Sequence, residues 1–346
     1  MSVASRHREG GSGHLKRVHF SPVAHGRNDR AGAGGLLAAV AKLAVVQNSI
    51  GRSRPRASHS SPSSFKLLGV RIDNISMSTA LGRILNAVHL AEFSSFAFVN
   101  ADCLNIASCN QPYKAILADQ RGVFADGSGI ALVSRLRGIN ISENVNGTDM
   151  FPLLCQAAAA HGISIFLLGA EPGVAGRVAA NMSAEYPDLA IAGTHHGYFD
   201  PSEEGSVISM INQSGADILL VAMGAPRQEV WIAANRERLA PKVAVGVGGL
   251  FDFFSGRVWR APAAMRQTGM EWVWRLIQEP NRLWRRYILG NPLFLARCLG
   301  EQMANACGLL LANPKPAPVA LVPNRDVVVG ITSSSAGVRA LAESRS

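Results

Sequence analysis

The chain has 346 residues, 48% of them hydrophobic and 17% charged, enough to bury one sizeable core. Its net charge of +10 is unevenly placed: residues 1–56 carry ten basic against two acidic side chains, residues 257–297 carry eight arginines against two glutamates, and the stretch between is mildly acidic. Five cysteines without CxxC spacing argue against a disulfide framework or a zinc knuckle and for a reducing compartment, and no run of about 18 apolar residues is present to cross a bilayer.

Residues 1–64 are rich in Gly, Ser, Arg and His and read as a disordered basic extension, because such a composition buries too little apolar surface to offset the entropy of ordering. The apolar patch at residues 31–46 includes Lys42 and is too short for a hydrocarbon layer of about 30 Å. It reads as a weak signal-like segment, a short interfacial helix, or a leader without a structural role.

From Phe65 onward, strand-like runs alternate with helical periodicity. Strands are predicted at residues 96–100, 122–126, 163–169, 189–193, 218–224 and 243–249, several too uniformly apolar to have a wet face. Helices are predicted at 103–118, 128–136, 148–161, 173–186, 202–214 and 227–239. The alternation predicts an α/β, Rossmann-like doubly wound and mainly parallel sheet over residues 65–256, with ligands beyond the carboxyl ends of the strands.

That rule selects the candidate residues. Asn100 ends the first predicted strand, with Asp102 just after it. Asp126 ends the second, in FADGSG, where a carboxylate beside a helix N-terminus can serve as a general base or simply cap the helix. In NGTDM, Thr148 or Asp149 opens a helix and reads as a cap. The LLGAEPGV segment is a strand, a glycine turn and a helix start, compatible with phosphate at free helix amides or with a plain connection. In MGAPRQE, Pro226 suits a first helical turn, and Gln228 could hydrogen-bond a sugar or base. The glycine run GVGGLFDFFSG is a ligand wall or a tight strand-to-helix joint. His195 and His196 are adjacent on a strand and would point to opposite faces, which argues against a metal pair. No DxD spacing occurs, so no metal and no other cofactor is expected, and phosphate would be neutralised by arginine and helix amides.

Taken in order, VNADCLNIA, FADGSGIAL, NGTDMFPLLCQAAAAHGISIFLLGAEPGVA, YPDLAIAGTHHGYF, ADILLVAMGAPRQEVWI, GVGGLFDFFSGRVWRAP and EWVWRLIQEPNRLWRRY resemble the WecG/TagA/CpsF glycosyltransferases, family 26, over roughly residues 66–297. The resemblance implies inverting transfer of a hexose or N-acetylhexosamine-type sugar from a UDP-sugar to a polyprenyl-diphosphate-linked sugar, in exopolysaccharide, capsule or other surface-glycan synthesis. It implies Asp126 as general base, Asn100 in the same pocket, and Gln228 against donor or acceptor. Arg275, Arg282 and Arg285 would bind diphosphate from a C-terminal appendage, with Arg260 as a helper. Two positions depart from the family pattern: Phe98 stands where threonine is frequent, and Asn144 where arginine is.

The appendage, residues 257–300, interleaves arginines with Trp272, Trp274, Leu276, Ile277, Leu283, Trp284 and Tyr287, which suits either an amphipathic helix on an anionic membrane or nucleic acid. The upstream motifs favour the membrane, at the cytoplasmic face, with no nucleic-acid partner. Residues 301–346, rich in Pro, Ala and Ser, read as a disordered tail. The competing reading is a non-catalytic nucleotide or nucleic-acid binding module; an NAD-type oxidoreductase lacks both the glycine fingerprint and the acidic ribose ligand.

Overall fold

Phe65, Leu67, Val70 and Ile72 alternate with exposed Lys66 and Arg71, and their burial folds Ser64–Leu67 (β1) and Val70–Asp73 (β2) into an antiparallel hairpin. In this computed structural model the structure describes residues 63–306; the rest of the basic extension and of the C-terminal tail lies outside the described residues. The hairpin is absent from the predicted strands because its turn, Leu68-Gly69, is an unusual pair for a loop in which both residues have positive φ, here 49° and 75°. Asp73 then joins the hairpin to the sheet. Its Oδ2 accepts the Val123 amide at 3.0 Å, with Arg71 and Arg83 at 3.8 and 3.6 Å.

The remaining strands are Ser94–Val99 (β3), Gly122–Ala125 (β4), Ile165–Gly169 (β5), Ile191–His195 (β6), Ile218–Ala222 (β7) and Val243–Gly246 (β8). The sheet order is β1-β2-β4-β3-β8-β7-β5-β6, parallel throughout except for the hairpin. The expected mainly parallel α/β sheet is therefore present. Helices follow at Met77–Ala87 (α1), Ala101–Cys109 (α2), Gln111–Asp119 (α3), Ser128–Leu136 (α4), Gly147–His161 (α5), Val174–Glu185 (α6), Glu204–Gln213 (α7), Arg227–Asn235 (α8) and Leu250–Phe254 (α9). A C-terminal group adds Ala263–Gln267 (α10), Glu271–Gln278 (α11), Pro280–Trp284 (α12), a π-helical turn over Arg285–Leu289, and Gly290–Ala306 (α13). The last helix thus runs past residue 300, where a disordered tail was expected to begin.

Three local differences have clear causes. The helix predicted over 103–118 is two helices, because Pro112 has no amide to donate and its ring would collide with a carbonyl one turn back; Asn110 caps the second helix by accepting the Tyr113 amide at 2.9 Å. The helix predicted from 202 opens with a 3-10 turn, Pro201–Glu203, capped by Asp200. The outermost strand β6 starts two residues later than expected, and its register against β5 shifts at Ile165/Phe166.

Side-chain alternation along the strands builds two covered faces. Phe96, Phe98, Ile165, Leu167, Ile218, Leu220, Val243 and Val245 pack with α1, α5, α6 and α9. On the other face, Ala97 and Val99 pack with the hairpin, α2, α3, α4 and α13, while Phe166, Leu168, Leu219 and Val221 pack with α7 and α8. Consequently the helix leaving β3 turns to one face and the helix leaving its neighbour β8 turns to the other. This switch between neighbouring strands marks the carboxyl ends where doubly wound sheets bind ligands.

Candidate active site

Four adjacent strands, β4, β3, β8 and β7, flank this switch. β4 delivers Asp126. Pairing of Val99 with Ala125, and the Asp126 amide donating to the Val99 carbonyl at 2.8 Å, set Asp126 beside Asn100. The capping reading of Asp126 does not hold: Gly127 occupies the cap position at φ 97°, with no side-chain cap bond. The Asp126 carboxyl is half-buried and makes no hydrogen bond among the described residues. Burial pushes its pKa up to about 6; Arg286 acts against this shift, and Glu271 and Asp149 add to it.

Asn100 caps α2, its Oδ1 accepting the amides of Asp102 and Cys103 at 3.1 and 3.2 Å, which leaves its Nδ2 without a partner among the described residues. Asp102 pairs with Arg286 at 3.5 Å. In NGTDM the cap is neither Thr148 nor Asp149 but Asn146, whose Oδ1 accepts the Asp149 amide at 2.8 Å. Asp149 is free to pair with Arg260, which also lies 3.8 Å from Glu271. Burial works against the Asp149 carboxylate, but hydrogen bonds from Asn146 and Arg260 more than offset it and hold its pKa low.

Gln228 was expected against donor or acceptor, yet it is 2% exposed. Its Oε1 accepts the amides of Gly224 and Gly248 at 3.1 and 2.9 Å, and its Nε2 donates to Glu229 Oε1 at 2.7 Å. One carboxamide thereby ties the turn after β7 to the turn after β8. Glu229 is itself 1% exposed, and burial raises its pKa. The turn after β5 is equally tight: Gly169 has φ 140°, and a Cβ there would come within 2.4 Å of the Ala222 carbonyl oxygen.

Arg275 and Arg282 converge on the glycine turn after β8, where a Cβ on Gly249 would meet their Nη2 atoms at 3.2 and 3.6 Å. In this structure carboxylates hold both arginines: Arg275 lies 3.0 Å from Glu279 and 3.8 Å from Asp252, and Arg282 lies 2.7 and 3.3 Å from the same two. Arg275 also covers the Phe253 ring at 4.3 Å. Arg285 is placed differently, exposed and 5.3 Å over the Trp284 ring.

At the carboxyl ends of adjacent strands the structure places a half-buried carboxylate, its pKa raised by burial, and an arginine group over a glycine turn. Residues 65–307 match the description Glycosyl transferase WecG/TagA/CpsF family. The chain is also 34% identical, over 204 residues, to an N-acetylglucosaminyldiphosphoundecaprenol N-acetyl-beta-D-mannosaminyltransferase of Bacillus subtilis (strain 168), covering 59% of this chain and 78% of that relative. The chain belongs to the WecG/TagA/CpsF family of glycosyltransferases. It is a glycosyltransferase.

Within this WecG/TagA/CpsF member, the two departures from the family pattern have structural settings. Phe98 packs on the Phe124 ring at 5.6 Å and against Gly147, filling space under the start of α5. Asn144 accepts the Gly127 amide through Oδ1 at 2.9 Å, bracing the backbone next to Asp126. Sequence reasoning missed Arg286 as a site residue, because its neighbour Arg285 is identical and the π-helical turn decides which of the two turns inward. His195 and His196 have ring centroids 4.4 Å apart, since His196 lies beyond the strand end; among the described residues no three His, Cys, Asp or Glu side chains gather as a metal-holding group.

Proposed function

We propose that the protein transfers a hexose or N-acetylhexosamine-type sugar, with inversion, from a UDP-sugar to a polyprenyl-diphosphate-linked sugar in surface-polysaccharide synthesis. The observation that carries this reading is the half-buried Asp126 at the carboxyl end of β4, which does not cap the helix that follows. In the reaction Asp126 takes the proton of the acceptor hydroxyl as its oxygen bonds to the anomeric carbon. The bond from that carbon to the UDP phosphate oxygen breaks on the opposite side, and its electron pair leaves with UDP. A base with a pKa about 6 is mostly ionised near neutrality and close enough to the working pH to accept a proton effectively. Arg275 and Arg282 would neutralise diphosphate charge over the Gly249 turn, with no metal required. Arg260 would steady the approach through Asp149, and Gln228 would shape the cleft through the two turns it joins. Since the Bacillus subtilis relative is named as a mannosaminyltransferase acting on N-acetylglucosaminyldiphosphoundecaprenol, UDP-N-acetylmannosamine is the first donor to test. A panel of UDP-sugars, assayed with a short-chain polyprenyl-diphosphate N-acetylglucosamine acceptor, should show transfer from one; no transfer from any, together with salt-sensitive RNA or DNA binding that UDP does not compete, would support the binding-module reading instead.

We also place the C-terminal helices against an anionic membrane at the cytoplasmic face. No helix among the described residues is long and apolar enough to cross a membrane. Trp259 is 74% and Ile277 67% exposed, and Trp284, Ile288 and Leu289 are exposed as well, beside Arg282 and Arg285. That mixture suits an interfacial surface. Truncating the helices would be a poor test, because α13 buries Phe294 and Cys298 against α2. Replacing Trp259 and Ile277 with serine leaves those contacts intact. The double variant should sediment with anionic vesicles several-fold less than the parent, while its activity on a soluble acceptor persists; undiminished sedimentation would remove the membrane assignment.

A further inference from the structure

Trp259 is 74% exposed, more than any other large apolar side chain among the described residues. Its backbone is nevertheless held at both polar atoms. The Trp259 amide donates to Gln278 Oε1 at 2.8 Å, and the Trp259 carbonyl accepts Gln278 Nε2 at 2.9 Å and Trp274 Nε1 at 3.0 Å. Val258 before it and Ala261 after it are buried, so the chain enters and leaves this position through packed residues. An indole held out by three side-chain hydrogen bonds to its own backbone is a rigid platform, which lowers the ordering cost for whatever binds it. A fluid bilayer accepts an indole in many orientations, so a membrane anchor gains nothing from such a clamp. A ligand whose own position is fixed does gain.

The clamp is built on the helix that carries part of the arginine group. Trp274 and Gln278 lie on α11 with Arg275, whose Nη2 a Cβ on Gly249 would meet at 3.2 Å. Trp274 and Arg275 are consecutive, so the platform and the arginine lie on adjoining faces of one helix, about 10 Å across with its side chains. Arg260 follows Trp259 directly and pairs with Asp149 on the first turn of α5. Ile277, 67% exposed, precedes Gln278 and adds a second bare apolar side chain next to the clamp. We propose that Trp259, clamped by Gln278 and Trp274, is a specificity-determining residue that takes isoprenoid hydrocarbon, the units of the acceptor lipid nearest its diphosphate. The inference rests on the polyprenyl-diphosphate reading of the acceptor. With the diphosphate held over the Gly249 turn, the lipid chain leaves from a fixed point, and a fixed indole can meet it there. Apolar area buried between indole and chain then favours a prenyl-linked acceptor over one with too short a chain to reach.

The test compares two N-acetylglucosamine diphosphate acceptors in the full-length protein, one carrying a single isoprene unit and one carrying several, both dissolved without vesicles or detergent. The readout is the ratio of their kcat/KM values. The parent should prefer the longer acceptor by about tenfold, through KM. Trp259→Ser should bring the ratio to within about twofold of unity, and Trp259→Phe should keep most of it. Gln278→Ala leaves the indole in place but releases its backbone, and should lose about half of the preference on a logarithmic scale. A parent without preference, or a Trp259→Ser protein that keeps the parent's ratio, overturns the proposal. An equal loss on both acceptors overturns it too, and makes Trp259 a contact to the sugar or a packing residue. If the ratio stays at the parent's value while sedimentation with anionic vesicles falls, Trp259 is a membrane anchor only. Should Trp259→Ser fail to fold, an undiminished ratio in Gln278→Ala is the overturning result. The acceptor reading fails separately: no transfer to either acceptor from any UDP-sugar defeats that reading, whereas transfer with a ratio indifferent to Trp259 defeats only the present inference.

Discussion

Asp126→Asn is expected to lose transfer by about a thousandfold, within the range for removing a general base, and yet to melt at a higher temperature than the parent. The two effects share one cause. Burial raises the Asp126 pKa from 3.8 to about 6, so the folded chain binds this proton more tightly than the unfolded chain does. Stability from the protonated carboxyl is fully present below pH 3.8 and is lost as pH rises through about 6, so at neutral pH the ionised group opposes folding. Every tenfold tightening of proton binding corresponds to about 1.4 kcal/mol; discounted for a carboxyl that is only half-buried, the gain on neutralising it is about 1–2 kcal/mol, or a few degrees in Tm. Thermal melts at pH 7 and pH 4.5 should show the advantage of the variant shrinking at the lower pH. A variant that is inactive because it is misfolded would melt lower at both. UDP-sugar binding should be largely retained, since the carboxyl would act on the acceptor hydroxyl.

Gln228→Leu should be the most damaging single change to the fold near the site. Leucine has nearly the same bulk but cannot accept the amides of Gly224 and Gly248 or donate to Glu229. Each buried polar group left without a partner costs about 1–3 kcal/mol, and Glu229 would be a buried acid with its strongest donor removed. Allowing for relaxation, a total loss of about 3–5 kcal/mol is expected, lowering Tm by roughly 10 °C. Gln228→Glu separates shape from chemistry: it keeps an acceptor for the two amides but sets a second acid against Glu229, and should fall between the parent and the leucine variant. Equal melting of all three proteins would show that the turns hold without this bridge.

Much of the sheet was legible in the sequence because its central strands are covered on both faces and read as unbroken apolar runs. The position of Asp126 followed from the same fact, since the first charged residue after such a run marks the strand's end. The β1–β2 hairpin was not legible, because Leu68-Gly69 carries none of the usual turn chemistry. The break at Asn110 was legible in principle from Pro112, but the apolar periodicity on either side of it concealed the break. Gln228 shows a deeper limit. A polar residue at a helix start reads as exposed, and only the spatial meeting of two glycine turns, 24 residues apart between Gly224 and Gly248, creates the need for a buried acceptor. Likewise, two identical neighbours, Arg285 over the Trp284 ring and Arg286 on Asp102, have different partners along a helical turn wider than the 3.6-residue period used to read the sequence.

The pairing of Arg275 and Arg282 with Asp252 and Glu279 has a consequence for selectivity. Two guanidinium groups and two carboxylates leave this patch close to electrically neutral when empty. It therefore exerts little long-range pull on anions, and under the proposed diphosphate role a ligand would have to exchange for internal carboxylates rather than land on bare positive charge. A lone phosphate or chloride offers one set of acceptors against two that are already in place and already held close by the chain. Two linked phosphates offer a matched replacement, forked guanidinium to forked oxygens, in a single binding event. The internal acids would thus act as a threshold that abundant simple anions do not cross.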